Sequence, residues 1–181
     1  MKRIYTIKLT DHYIYLYHHK QQEIIKKPIA RNIINGLKIY HVKKTIKVLE
    51  QLLNNLKPKT LLRLKINFLI SKNWSPAEVF LIDYVAKSLN NVKHCLLFEE
   101  DLINDKKAII IWDDYLNIIS KKMVVNLQEL LKNKENIFND QHILIGLSDK
   151  FDYYQEELNK AFKIPVLTYE NSDRILFERV Q

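Results

Sequence analysis

Gly36 and Gly146 are the only glycines in this chain of 181 residues, where average usage of about 7% would supply roughly 13. Loops that cradle phosphate need several glycines close together, because bare backbone must approach the ligand at dihedrals that a Cβ resists. No such loop can be built anywhere in this sequence. The chain can nonetheless fold: 47% of it is hydrophobic, enough for the core of one domain or of two packed halves.

The apolar runs are short, as in Ala108 to Trp112, and none approaches the roughly 18 uncharged residues of a membrane span. Lys8 and Asp11 interrupt the apolar stretch that a signal peptide would need. A cytosolic location is therefore the expectation. The single Cys95 sits in an apolar run and reads as a small buried hydrophobe of a reducing compartment.

The net charge of +8 hides an asymmetry: residues 1–72 hold 16 Lys/Arg against three acids, and residues 73–181 hold 13 against 18. A basic first part suits nucleic acid, an anionic membrane surface or a protein partner. Lysine-rich usage also simply solvates exposed faces, so charge alone selects none of these.

Arg3 to Leu9 and His12 to His18 alternate at period two around Thr10-Asp11, which predicts a hairpin. Glu23 to Ile29 supplies a third strand, and Asn35-Gly36 marks a turn. Val42, Ile46, Leu49, Leu53 and Leu56 recur at helical spacing until Lys57-Pro58 stops the pattern. Leu62 to Ile70 then alternates as a strand. Ser75-Pro76-Ala77-Glu78 is a helix start with a capping box and proline at the first helical position. Val92 to Phe98 closes the series as a strand, giving β-β-β-α-β-α-β. The pattern then restarts in shorter form. Lys107 to Trp112 and Tyr115 to Ser120 form a second hairpin around Asp113-Asp114, with a third strand at Lys122 to Asn126. Helix near Leu127 to Lys134, strand at His142 to Ile145, helix from Asp149 to Phe162, strand at Ile164 to Thr168 and a closing helix after Asn171 follow. The expected architecture is α/β, with residues 1–104 as the first half and 105–181 as the second, an order that matches a ribonuclease-H-like or actin-like core.

The chain resembles the actin-like superfamily, and in pattern the MreB rod-shape proteins. Ile7-Lys8-Leu9-Thr10 lies in the place of that family's opening hairpin, which is built around D-x-G-T, and Asn35-Gly36-Leu37 where it has a D-G-V-I turn. Ser75-Pro76-Ala77-Glu78 takes the place of its T-x-V-E-R-R helix start, and Cys95 to Asp101 that of its V-x-L-I-E-E-P segment. Ile143 to Val166 resembles the family's L-T-G-G-G-A…G-I-P-V stretch, with Gly146 on the first glycine. The resemblance implies nucleotide positions that are degenerate here: Lys8 and Thr10 replace the phosphate-binding Asp and Gly, Asp113-Asp114 the glycine-rich second hairpin, and Leu147-Ser148 further glycines. Both insertion subdomains are missing from the pattern. ATP binding, and with it any cofactor, is expected to be lost.

Candidate chemistry is thin. Asp113 and Asp114 are the best acid pair, yet neighbours in a turn usually meet water. Glu99-Glu100-Asp101 ends a strand and reads as a capped helix or solvated loop. His12 and His18 lie too far apart along a strand for one metal. Tyr13, Tyr15 and Tyr17, with Lys26 and Lys27 on the next strand, make a candidate partner surface. The resemblance then implies a non-enzymatic scaffold in a bacterial envelope machine: a type IV pilus or type II secretion platform, or a cell-shape apparatus. Its partners would be envelope-assembly proteins, an assembly ATPase or membrane platform subunit among them, or further copies of itself. It would work at the inner face of the cytoplasmic membrane, and such platform domains precede a membrane span in a longer chain. A basic nucleic-acid-binding module is the alternative, and a residual ATPase is less favoured.

Overall fold

The computed structural model describes residues 4–10, 12–35, 38–56, 64–103, 108–112, 115–133, 143–147, 151–162, 167–168, 177 and 180. The chain divides into two compact units, residues 1–70 with 74–98, and residues 71–73 with 99–181. The division thus falls at 98/99 where the sequence suggested 104/105.

The first unit runs β1 (Ile4–Leu9), β2 (Tyr13–His18), β3 (Glu23–Pro28), β4 (Ile34–Asn35), β5 (Lys38–Ile39), α1 (Val42–Asn54), β6 (Leu64–Ile70), α2 (Pro76–Lys87) and β7 (Val92–Phe98). Its sheet has the order β3-β2-β1-β6-β7. The first three strands are antiparallel neighbours, and β6 and β7 add in parallel to β1. Between β3 and α1 the described chain holds only the two-residue strands β4 and β5, where the family resemblance would place an insertion subdomain. Both β3-α1-β6 and β6-α2-β7 join parallel strands in the same direction, so right-handed crossovers put both helices on one face of the sheet. That face carries Tyr5, Ile7, Ile66 and Phe68, all buried. His94, in register with Ile66, contacts Asp83 of α2 at 3.2 Å, and α1 packs against α2.

The second unit runs α3 (Glu99–Leu102), β8 (Ala108–Trp112), β9 (Tyr115–Ile118), a 3-10 turn (Ile119–Lys121), β10 (Met123–Asn126), α4 (Leu127–Asn133), β11 (Ile143–Leu147), α5 (Phe151–Phe162) and β12 (Leu167–Thr168). Its sheet has the order β10-β9-β8-β11-β12. In both units, then, the strands stand third, second, first, fourth, fifth. Ile109, Ile111, Leu116 and Ile118 share one face of this sheet and pack with Leu127 and Leu130 of α4 and Leu158 of α5.

Glycine scarcity leaves a mark on the turns. Gln22, Asn91 and Lys122 hold φ of 54°, 56° and 52°, a region that glycine enters without steric cost. Each stands immediately before a strand, and Gln22 and Lys122 precede the third strand of their respective units.

Three expectations need correction. Tyr15 and Tyr17 are buried, because β2 lies between β1 and β3 and is covered on both faces, so they offer no partner surface. Cys95 is exposed, because β7 is an edge strand of its sheet. Glu99 is fully buried rather than solvated. The Asn35-Gly36 turn, the Lys57-Pro58 stop, Asp11, Asp113-Asp114 and the closing helix after Asn171 fall wholly or partly outside the described residues. No helix among the described residues is long and apolar enough to cross a membrane.

Candidate functional site

The first hairpin is where the family resemblance points first, and there Thr10 and Tyr13 bond to each other across the turn. Thr10 Oγ1 donates to the Tyr13 carbonyl at 2.9 Å and accepts from the Tyr13 N–H at 3.2 Å. The Thr10 N–H donates to the same carbonyl at 3.0 Å. A threonine side chain has thus taken up the backbone N–H that a glycine would leave open at this turn.

Lys8 alternates with Ile7 and Leu9 on β1 and so projects to the sheet face opposite the helices. Only 1% of it is exposed, and its ammonium lies 5.4 Å from the centre of the Trp74 ring. Thr6, Asn67, Tyr15 and Tyr17 are buried on that same face. Thr6 Oγ1 and His19 Nε2 are 2.8 Å apart. Burial, reinforced by His18 and Lys65, holds the His19 imidazole below its ordinary value of about 6.5.

Of the proposed partner surface, Tyr13, Lys26 and Lys27 are half-buried. The Lys26 ammonium sits 3.8 Å from the Tyr13 ring centre and 5.4 Å from that of Tyr15, a cation–π arrangement internal to the sheet. Gly146 lies in β11 in register with Ile111. Asp113 and Asp114 are outside the described residues.

A polar cluster that sequence reasoning did not anticipate lies within the second unit. Glu99 and Glu100 open α3, Ser71 and Asn73 belong to the short segment after β6, and Asn117 comes from β9. Asn117 Nδ2 lies 3.0 Å from Glu99 Oε2, 2.9 Å from Glu100 Oε1 and 3.0 Å from Ser71 Oγ. One amide with two hydrogens faces three acceptors, so at least one bond is shared. Asn73 Nδ2 donates to Asn117 Oδ1 at 2.9 Å and to Glu100 Oε1 at 3.4 Å. Ser71 Oγ donates to Glu100 Oε1 at 2.6 Å, and the Lys72 N–H to Glu100 Oε2 at 2.9 Å. Both oxygens of Glu100 are therefore committed, which makes it an organiser of local structure rather than a free base. Lys72 also pairs with Asp101 at the exposed rim. The signal in sequence was the Glu99-Glu100 pair, but its partners lie 17 to 29 positions away along the chain and follow no period.

Neither a protein-family model nor a curated protein matches the sequence. Solved structures do match the fold. Ethanolamine utilization protein EutJ from Carboxydothermus hydrogenoformans aligns with a TM-score of 0.58 at 9% identity, covering 99% of this chain and 89% of that one. MreB5 of Spiroplasma citri bound to ADP gives 0.57 at 9% identity, with 99% and 95% covered. The same protein bound to AMPPNP gives 0.56 at 10% identity over the same shares. The fold is actin-like.

Such a fold implies a nucleotide, and the described residues Lys8, Thr10 and Tyr13 of the first hairpin do not fit its phosphates. The Thr10 and Tyr13 N–H groups are consumed inside the turn. The position expected to carry an aspartate holds a buried lysine. Among the described residues of this hairpin, the donors at Thr10 and Tyr13 thus serve the turn rather than a phosphate.

Proposed function

We propose that this chain is a non-enzymatic actin-like scaffold that acts through protein contacts in an envelope-assembly machine. The observation that carries the reading is the self-closed turn of Thr10 and Tyr13 beside the buried Lys8. The Thr10 and Tyr13 N–H groups, already bonded within the turn, are not free to replace the hydration of a phosphate. The choice of machine, a pilus or secretion platform or a cell-shape apparatus, rests on the family resemblance. Its place at the inner face of the cytoplasmic membrane is part of the same proposal.

Thermal unfolding with and without Mg-ATP tests the reading, because any ligand bound only by the folded chain must raise its stability. The midpoint is expected to stay unchanged at millimolar nucleotide, with no phosphate released. A clear rise in the midpoint, or turnover, would return the chain to the ATPases.

A further inference from the structure

The outward surface formed by α1 and α2 breaks two rules that helices of a stable domain normally keep. Phe80 and Tyr84, one turn apart on α2, are 66% and 52% exposed, where the solvent face of a helix is ordinarily polar. On α1, Lys43 and Lys44 occupy the first turn, where the helix dipole disfavours cations. No side chain caps that helix, and its first turn contains no acid. Lys47 continues the exposed basic row, and Tyr40, 58% exposed, stands just ahead of the helix start. Because α1 and α2 pack side by side on one face of the sheet, their outer faces form one surface of the first unit.

The acids of this surface are already engaged. Glu50 accepts from Asn90 at 2.9 Å, Glu78 closes the capping box with Ser75, and Asp83 pairs with Lys87 and His94. The three lysines of α1 have no ion pair among the described residues. What remains is a positive row on one helix and an aromatic pair on the helix packed beside it.

We infer that this surface docks an acidic amphipathic helix of a partner protein, its apolar side on Phe80 and Tyr84 and its carboxylates on Lys43, Lys44 and Lys47. The inference rests on the scaffold reading and names the chemistry of its partner. Charge complementarity selects the acidic face, and two exposed aromatics one turn apart offer an apolar strip against which the hydrophobic side of an amphipathic helix can be buried. The carboxylates would also complement the uncapped N-terminus of α1.

The test is fluorescence anisotropy of the full chain with a labelled helical peptide carrying leucines on one face and glutamates on the other. A lysine counterpart, vesicles of phosphatidylglycerol and a single-stranded DNA serve as competing probes. The glutamate peptide is expected to bind and the lysine peptide not. The pair Phe80→Ser and Tyr84→Ser, and the charge reversals Lys43→Glu, Lys44→Glu and Lys47→Glu, should each weaken binding roughly tenfold or more with thermal unfolding retained. The reversed variant should now prefer the lysine peptide. No binding of the glutamate peptide, binding that ignores both sets of substitutions, or a preference for vesicles or DNA would each overturn the inference. None of these results depends on nucleotide, so loss of this surface and loss of the scaffold reading are separate outcomes.

Discussion

Asn117 contributes more through position than through chemistry. Its amide stands between two carboxylates, one of them fully buried, and also reaches Ser71. Removing that amide strips hydrogen bonds from Glu99 and Glu100 together. Asn117→Ala should cost about 2–3 kcal/mol, read as a lower urea midpoint at unchanged m-value. His19 makes a separate prediction. Its imidazole titrates below the ordinary value of about 6.5 because burial disfavours the cation. The unfolded chain therefore binds the proton first, and stability falls as pH drops from about 6.5 through the folded value. His19→Gln, which keeps a hydrogen-bonding group for Thr6, should flatten that part of the stability–pH profile; an unchanged slope would show that another group titrates there. The burial of Lys8, Tyr15 and Tyr17 was not legible in sequence, because alternation marks the two faces of a strand without saying that both are covered.

Elements were easier to read than residues, wherever a local rule decides. Ser75-Pro76-Ala77-Glu78 specifies the start of α2, and the structure contains the full capping box. The apolar spacing from Val42 specifies α1, which buries Leu49, Leu52 and Leu53. Val92 to Phe98 is a strand with those bounds. The polar cluster of Ser71, Asn73, Glu99, Glu100 and Asn117 escaped, since it is assembled by tertiary packing from three separate segments. Turns carry the clearest cost of scarce glycine. Gln22 and Lys122 hold positive φ before β3 and β10, a conformation that costs side chains with a Cβ about 1 kcal/mol or more. Gln22→Gly and Lys122→Gly should each raise stability by roughly 0.5–1 kcal/mol, seen as a higher melting temperature. A drop would mean that side-chain contacts, not backbone strain, govern those turns.

At the scale of the whole molecule, one strand order appears twice, β3-β2-β1-β6-β7 and β10-β9-β8-β11-β12. The restart of the sequence pattern after residue 104 foreshadowed this repeat, although the break between units comes at the end of β7. Two such sheets suffice for an actin-like framework at 9% identity, because the fold depends on hydrophobic order rather than on the glycines that hold a ligand. Function is where the two separate. Backbone amide NMR of the 15N-labelled chain during titration with Mg-ATP reads the decisive positions directly. The Thr10 and Tyr13 resonances should remain in place at millimolar nucleotide, because their N–H groups are bonded within the turn. Saturable shifts at those two amides would contradict a scaffold whose hairpin is closed to phosphate.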